Sequence, residues 1–375
     1  MKKRMLAVLL GMTMVIGMLT GCGSSGSDNT VKIAFAGPLT GDMSVDGIDA
    51  RNGAKIAVEK INEEGGINGK TVELVEYDDK GDTKEAATVA SRISQDRDTY
   101  AVIGHYNSGC SLAAAPIYEK AHVTSVAFAS SANSLSEAGN YIFRTCNSDD
   151  VAAGKCAEIA VNQLGHTKLA VMYEDDDYGK GLADSFQKYA TDAGADVVSV
   201  NAYMLGETKD FTSILTKIGQ TDADMIFIAG LYTEAAMIAK QEKQVGLDIP
   251  CMGSEALFTT GQIDLGGEAV EGFYTTAGFS TESKEDYIQQ FITDFTDEFG
   301  EAPGTTAACA YDGVMAVAEA MEACGDDFTR ENIKDQMYSV DVKGISGEIT
   351  FDENGDCHKD YLVVTVQDGA FKLAE

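Results

Sequence analysis

The chain has 375 residues, 44% of them hydrophobic, and its 28 basic and 60 acidic residues give a net charge of −32. Such an excess of negative charge repels nucleic acid and anionic lipid headgroups, so the composition argues against nucleic-acid binding. Because the acidic residues are spread along a chain of ordinary hydrophobic content, we expect a folded protein with an acidic surface, and the length fits two domains.

The N-terminal segment has the features of an export signal followed by a tether. A basic start precedes an uncharged apolar run at residues 5–18, shorter than the roughly 20 residues of a transmembrane helix. Leu19-Thr20-Gly21-Cys22 then resembles a bacterial lipobox. We predict a lipoprotein signal peptide at 1–21, lipidation of Cys22 and a flexible tether at 22–30; an ordinary secretory signal with an accidental cysteine is the alternative.

The mature chain would therefore lie outside the cytoplasmic membrane, on its outer face, and would touch the membrane only through lipid. It would keep 25 basic and all 60 acidic residues, for a net charge of −35.

From Val31 onwards, short apolar runs alternate with amphipathic segments, which is typical of βαβ units around a parallel sheet. In the first half the strands are predicted at 31–36, 72–77, 101–104 and 123–127, with helices at 54–61, 83–96 and 112–121. After Arg144 the alternation restarts, with strands at 168–173, 196–203, 225–229 and 251–252 and helices at 178–193, 211–218 and 233–245.

Two later helices are predicted at 282–299 and 307–324. They are more helices than the second α/β unit requires, so we expect the chain to cross back to the first unit. The pattern predicts an α/β fold of two similar domains, each a parallel-type sheet flanked by helices, joined by hinge crossovers. The predicted N-terminal lobe is 31–148 plus 279–352, and the predicted C-terminal lobe is 149–278 plus 353–375.

Cysteine and histidine usage gives no metal-binding pattern. Apart from Cys22 there are seven cysteines, an odd number, without a CxxC spacing, and the four histidines are scattered. We expect free thiols, with one bridge such as Cys146–Cys156 left open. An acidic run at 174–177 is more typical of a solvated loop with capping carboxylates than of a metal site. We predict neither a metal nor a cofactor.

Candidate site residues lie in loops that follow predicted strands, where open α/β sheets bind their ligands. Four such loops, rich in hydroxyl and carboxyl groups, lie at 105–110, 129–133, 177–179 and 253–255. A helix that starts near Ser111 would present unpaired N–H groups to a carboxylate. Turn and capping chemistry is the alternative for any one of these loops, and their recurrence at successive strand ends favours a site.

From Val31 to near the C-terminus, the chain resembles the leucine/isoleucine/valine-binding proteins, which are extracellular amino-acid receptors of ATP-driven importers with the type I periplasmic-binding fold. The resemblance is carried, in chain order, by residues 37–41, 53–54, 61–69, 77–79, 102–105, 143–145, 178–183, 209–211 and 253–255. It implies a ligand cleft between the lobes, a monomeric protein, and an ABC permease as partner.

The resemblance also assigns roles to individual residues. Ser108 and Ser131, with backbone groups near Asn107 and Ala129, would hold the α-carboxylate and part of the ammonium group of an amino acid. Glu255 would supply the carboxylate that pairs with the ammonium group. Tyr178 would be the aromatic residue that closes over the ligand, and Tyr106 would line the side-chain pocket.

Departures from the family pattern leave the identity of the amino acid open. Asp46 stands where family members commonly have a tyrosine, and Thr306 stands where a phenylalanine of the pocket is expected. Leu231 stands where another aromatic residue is common, and an aromatic residue, Tyr232, follows it directly. A small or polar amino acid therefore competes with a branched-chain one. The disulfide of better-known members is also absent, since its positions correspond to Gly81 and Asn107.

We therefore predict a lipid-anchored receptor that captures an amino acid by hinge closure and delivers it to a membrane permease, without catalysis. One alternative is a sensor subunit of the same fold. Another, of a different class, is an extracellular amide hydrolase with Glu255 or Asp46 as general base.

Overall fold

The structure is a computed structural model, which describes residues 29–325 and 328–374. The predicted signal peptide and Cys22 lie outside the described residues. The strands are β1 (Thr30–Gly37), β2 (Thr71–Asp78), β3 (Thr99–Gly104), β4 (Thr124–Ala127), β5 (Ile142–Arg144), β6 (Lys168–Glu174), β7 (Asp196–Tyr203), β8 (Met225–Ala229), β9 (Cys251–Gly253), β10 (Tyr274–Ala277), β11 (Val342–Lys343), β12 (Glu348–Ile349), β13 (Leu362–Gln367) and β14 (Ala370–Leu373).

Helices alternate with these strands along most of the chain. They are α1 (Ser44–Glu63), α2 (Thr83–Gln95), α3 (Ser108–Ala121), α4 (Asp149–Ala157), α5 (Asp177–Asp192), α6 (Thr212–Ile218), α7 (Tyr232–Gln244), α8 (Thr260–Gly266), α9 (Asp286–Phe299), α10 (Thr305–Ala323) and α11 (Arg330–Met337). A π-helical turn at Glu158–Gln163 continues α4. No helix in the described part of the chain is long and apolar enough to cross a membrane.

The strands form two main sheets, and the protein is an α/β fold of the type I periplasmic-binding kind. The first sheet is parallel, in the order β2-β1-β3-β4-β5, and the part of the chain built on it is called the first lobe. The second sheet, in the order β14-β13-β10-β9-β8-β6-β7, underlies the second lobe; β13 and β14 are its antiparallel edge. Both sheets are covered by helices, which explains why their central strands, such as β3, β4, β8 and β9, are almost wholly buried.

The late helices return to the first lobe, as the surplus of helices predicts. Helix α10 packs along α1, and the two backbones approach so closely that a Cβ on Gly53 would lie 2.1 Å from the Ala307 carbonyl oxygen. Asp49 of α1 also accepts hydrogen bonds from the N–H groups of Gly304 and Ala307, at the start of α10. Only a glycine permits this helix–helix distance.

Three chain segments connect the lobes, and hydrogen bonds tie two of them together. Arg144, at the end of β5, contacts Asp356 through its Nε at 2.7 Å. Asn147 and Lys359 exchange two hydrogen bonds between side-chain amide and backbone, at 2.9 and 2.8 Å. The predicted residue limits of the two lobes stay a prediction.

The cysteines resolve the alternative that the sequence leaves open. All seven described cysteines are free, so Cys146 and Cys156 do not form a bridge. The two positions that correspond to the family disulfide are neighbours, since a Cβ on Gly81 would lie 3.1 Å from Asn107 Oδ1. The described residues contain no group of three or more His, Cys, Asp or Glu side chains arranged to hold a metal ion.

Candidate ligand-binding site between the lobes

A cavity of about 440 Å³ lies between the two lobes, at the carboxyl ends of the strands. Loops from both sheets meet there because parallel strands direct their following loops to one edge. Nine of the ten predicted site residues line it: Asp46, Tyr106, Asn107, Ser108, Ala129, Ser131, Tyr178, Leu231 and Glu255. Tyr232 lies outside the lining. Its side chain belongs to the hydrophobic core of the second lobe.

The N-terminus of α3 forms one end of the cavity. The helix begins at Ser108, Asn107 at its N-cap makes no side-chain capping bond, and both residues line the cavity. Ser108 Oγ accepts the N–H of Ala132 at 3.2 Å, which ties the helix start to the loop after β4. Free helix N–H groups and the positive end of the helix dipole favour an anionic group here.

This end of the site is fixed by buried hydroxyl groups beneath it. Ser130 Oγ donates to the carbonyls of His105 and Tyr106 at 3.0 Å and lies 2.6 Å from Ser111 Oγ. Both serines are buried. The network holds the loops after β3 and β4 in one arrangement through the protein's own hydrogen bonds.

The second lobe presents Glu255 just beyond the end of β9. Its Oε1 accepts a hydrogen bond from the hydroxyl of Tyr361 at 2.8 Å, and burial raises the pKa of its carboxyl group while Tyr361 and Lys359 oppose that shift. Beside it, the hydroxyls of Tyr178 and Ser254 lie 2.9 Å apart. A carboxylate that is anchored on one oxygen keeps the other for a cationic ligand group.

Asp149, at the start of α4, is a cavity residue that the sequence analysis did not identify. Its exposed fraction is 0%, and neither carboxylate oxygen has a hydrogen-bond partner among the described residues. Burial raises the pKa of this carboxyl group to about 7, with the nearby Ser131 hydroxyl and Arg144 guanidinium opposing the rise. A buried carboxyl group without a partner is costly, and a ligand cation would relieve that cost.

A signal for Asp149 exists in the sequence. Ser148 caps α4 because its Oγ accepts a hydrogen bond from the N–H of Val151, and a hydroxyl residue followed by acidic residues is a pattern that marks a helix start. Because β5 is only three residues long, the preceding strand escaped detection. Without that strand, Asp149 could not be placed at a strand end.

Asp46 lies at another wall of the cavity and is 5% exposed. Its Oδ2 accepts the hydroxyl of Tyr106 at 2.8 Å, and its Oδ1 accepts the hydroxyl of Thr259 from the second lobe at 3.1 Å. Burial raises the pKa of this carboxyl group to about 7, the two hydroxyls lower it, and the neighbouring charge of Asp49 raises it further.

Contacts between the lobes show that the cavity is closed. In addition to the Thr259–Asp46 bond, Tyr232 donates its hydroxyl hydrogen to the backbone carbonyl of Asp42 at 3.1 Å. Tyr232 therefore holds the lobes together, and Leu231 beside it packs with the core of the first lobe. An open form would lose these contacts and expose the cavity carboxyl groups to water.

We expect the empty protein to close as the pH falls from 8 to 6. Asp46 and Asp149 have pKa values of about 7 in this closed form, and water would return them toward the ordinary value near 3.8 in an open one. The closed form therefore binds protons more tightly, so acid favours it. Small-angle scattering should give a smaller radius of gyration at pH 6 than at pH 8. An unchanged radius in the wild type, or an undiminished change in the Asp46→Asn/Asp149→Asn double variant, would contradict this.

Comparison with known proteins identifies the class to which this arrangement belongs. The family model described as "Periplasmic binding protein" matches residues 30–370. A leucine-, isoleucine-, valine-, threonine- and alanine-binding protein of Pseudomonas aeruginosa is 30% identical over 331 residues, which cover 88% of this chain and 87% of that protein. Leu/Ile/Val-binding protein homolog 1 of Brucella suis is 28% identical, with 89% of each chain covered.

Solved structures agree with these relatives. The branched-chain amino acid transporter substrate-binding protein LivJ of Streptococcus pneumoniae, in complex with isoleucine, has a TM-score of 0.86 at 29% identity and covers 92% of this chain and 99% of its own. The leucine-binding protein LivK of Thermotoga maritima has a TM-score of 0.85 at 30% identity, with coverage of 92% and 98%.

The fold and the enclosed cavity define a two-lobed solute-binding protein. The chain belongs to the periplasmic binding protein family, among the substrate-binding proteins of branched-chain amino acid ABC transporters. This family consists of non-enzymatic binding proteins with an extracytoplasmic place of action, so the alternative of an amide hydrolase is set aside.

Proposed function

We propose that this protein is the extracytoplasmic, lipid-anchored substrate-binding protein of an ABC importer and captures an α-amino acid in the cavity between its lobes. The observation that carries the proposal is that two groups suited to opposite charges line one cavity: the N-terminus of α3, which has no side-chain cap, for a carboxylate, and Glu255 with Asp149 for an ammonium group. A zwitterion that leaves water needs both.

Hinge closure would couple capture to transport. Ser108 and Ser131 belong to loops of the first sheet, whereas Tyr178, Leu231 and Glu255 follow strands of the second, so a ligand reaches all of them only in the closed form. Binding then shifts the open–closed equilibrium by the free energy of the contacts with the second lobe. The permease would bind the closed surface and receive the amino acid when the lobes separate.

The relatives guide the choice of ligand without fixing it. Their names specify leucine, isoleucine and valine, and in one case also threonine and alanine. In this chain Asp46 and Thr306 line the same cavity, so branched-chain and other small amino acids are all to be tested.

A thermal-shift screen of the purified protein against the twenty amino acids, short amides, urea and aromatic acids tests the proposal. At 100 times its dissociation constant, a ligand should add about 2.7 kcal/mol of stability, which is a shift of several degrees. Stabilisation by one or a few amino acids is the expected result. A response to another class of compound alone would refute the zwitterion receptor.

The proposed lipid anchor makes a separate prediction. Replacement Cys22→Ala removes the only sulfur at the predicted cleavage point, so the protein should move from the membrane fraction to the soluble extracytoplasmic fraction. Ser24→Ala, in the same tether, serves as the control and should leave the protein on the membrane. If the Cys22→Ala protein stays in the membrane fraction, the anchor is not at Cys22.

A further inference from the structure

The residues that line the cavity include many more acidic than basic side chains. Their carboxyl groups number eight: Asp46, Asp49, Asp149, Asp176, Glu255, Asp264, Glu282 and Glu301. Among the described lining residues the one cation is Lys372, and its ammonium group is paired with Asp368 at 2.8 Å. The single ammonium group of a neutral amino acid does not balance this surplus of negative charge.

Two pairs of these carboxyl groups lie on different elements of the site. Glu255 and Asp149 come from the second lobe and the hinge, where the α-ammonium is proposed to lie. Asp46 and Asp49 lie on α1 of the first lobe, three residues apart and thus on one face of the helix. The second pair is thus on a different element from the residues proposed to hold the α-amino and α-carboxyl groups.

Asp46 is the member of that pair with capacity left for a ligand. Asp49 already accepts the N–H groups of Gly304 and Ala307 and the hydroxyl of Thr306, so its oxygens are used within the protein. Asp46 accepts one hydroxyl on each oxygen, and each carboxylate oxygen can accept a second donor. No lysine, arginine or histidine forms a salt bridge with Asp46 in the described part of the chain.

The distance from the carboxylate receptor to Asp46 corresponds to a long side chain. Tyr106 adjoins Asn107 at the start of α3, and its hydroxyl reaches Asp46. One tyrosine side chain therefore separates the two subsites. An extended side chain with four or five atoms and a terminal ammonium or guanidinium group has a similar length, and the Tyr106 ring offers an apolar wall for its methylene groups.

We propose that the cavity selects a dibasic α-amino acid, such as lysine, ornithine or arginine, whose side-chain cation binds Asp46 while Glu255 and Asp149 hold the α-ammonium. This inference rests on the proposed function and names its substrate class. The raised pKa of Asp46, whose main cause is burial, agrees with a carboxylate that lacks its cation in the empty protein.

Titration calorimetry with L-lysine, L-ornithine, L-arginine and L-leucine tests the inference on wild type and Asp46→Asn. We expect the wild type to bind at least one dibasic amino acid ten times or more tightly than leucine. Asp46→Asn keeps the shape of the side chain and removes its charge, so it should lose at least tenfold in dibasic affinity and leave leucine affinity equal or higher. Glu63→Gln, at an exposed position on the same helix, is the control and should change neither.

The outcomes separate this inference from the proposed function. Leucine as the tightest ligand of the wild type would overturn the inference and leave the amino-acid receptor intact. An equal loss of dibasic and leucine affinity in Asp46→Asn would also overturn it, because Asp46 would then only shape the site. If the protein binds no amino acid at all, both proposals are overturned. Both are also overturned if a diamine such as putrescine, which has no carboxylate, binds as tightly as lysine.

Discussion

Glu255→Gln is expected to weaken amino-acid binding at least tenfold while the melting temperature of the empty protein stays nearly unchanged. The substitution removes the charge that faces the ligand ammonium but keeps an oxygen that can accept the Tyr361 hydroxyl. A hydrogen bond between charged groups contributes about 1.5–3 kcal/mol, which corresponds to a factor of roughly ten to a hundred in affinity.

Calorimetry with the tightest amino acid of the screen measures the effect, and Glu268→Gln, exposed in the same lobe, is the matched control. If the affinity of Glu255→Gln equals that of wild type, Glu255 does not contact the ligand. If both affinity and melting temperature fall together, the role of Glu255 is to support the fold around Tyr361.

Asp149→Asn is expected to act in opposite directions on the empty and the loaded protein. At pH 8, above the pKa of about 7, a buried carboxylate without a partner opposes closure, so the neutral side chain should shift the empty protein toward the closed form. The same change removes a negative charge beside the ligand ammonium, and amino-acid affinity should fall about tenfold or more.

Two measurements at pH 8 check this pair of effects, with Asp184→Asn at an exposed position of α5 as control. Small-angle scattering of the empty variant should give a smaller radius of gyration than wild type, and calorimetry should give weaker binding. Tighter binding by Asp149→Asn would mean that the carboxylate repels the ligand and that the ammonium lies only at Glu255.

Much of the secondary structure follows from local patterns in the sequence. The predicted strands at 196–203 and 225–229 coincide with β7 and β8. β8 is an uninterrupted apolar run, and β7 is rich in valine, so both patterns favour a strand. The prediction for α1 was ten residues too short at its start. Asp46, Asn52 and Gly53 interrupt the apolar period there, although all three are buried.

Short elements escaped the same reasoning. Strands β5 and β10 have three and four residues, too few for a period to be visible, and β13 and β14 form the antiparallel edge of the second sheet, where β13 pairs with both β10 and β14. Their existence depends on a partner strand that other parts of the chain supply.

The sequence by itself determined the α/β class, the family, the strand-end loops and nine of the residues that line the cavity, since each of these depends on local pattern or on resemblance. Only the tertiary structure decided that Asp149 is buried without a partner, that Asp46 meets Tyr106 and Thr259, and that Tyr232 bridges the lobes. Burial and pairing depend on groups far apart in the chain, and the charge preference of a closed cavity emerges only when both lobes surround it.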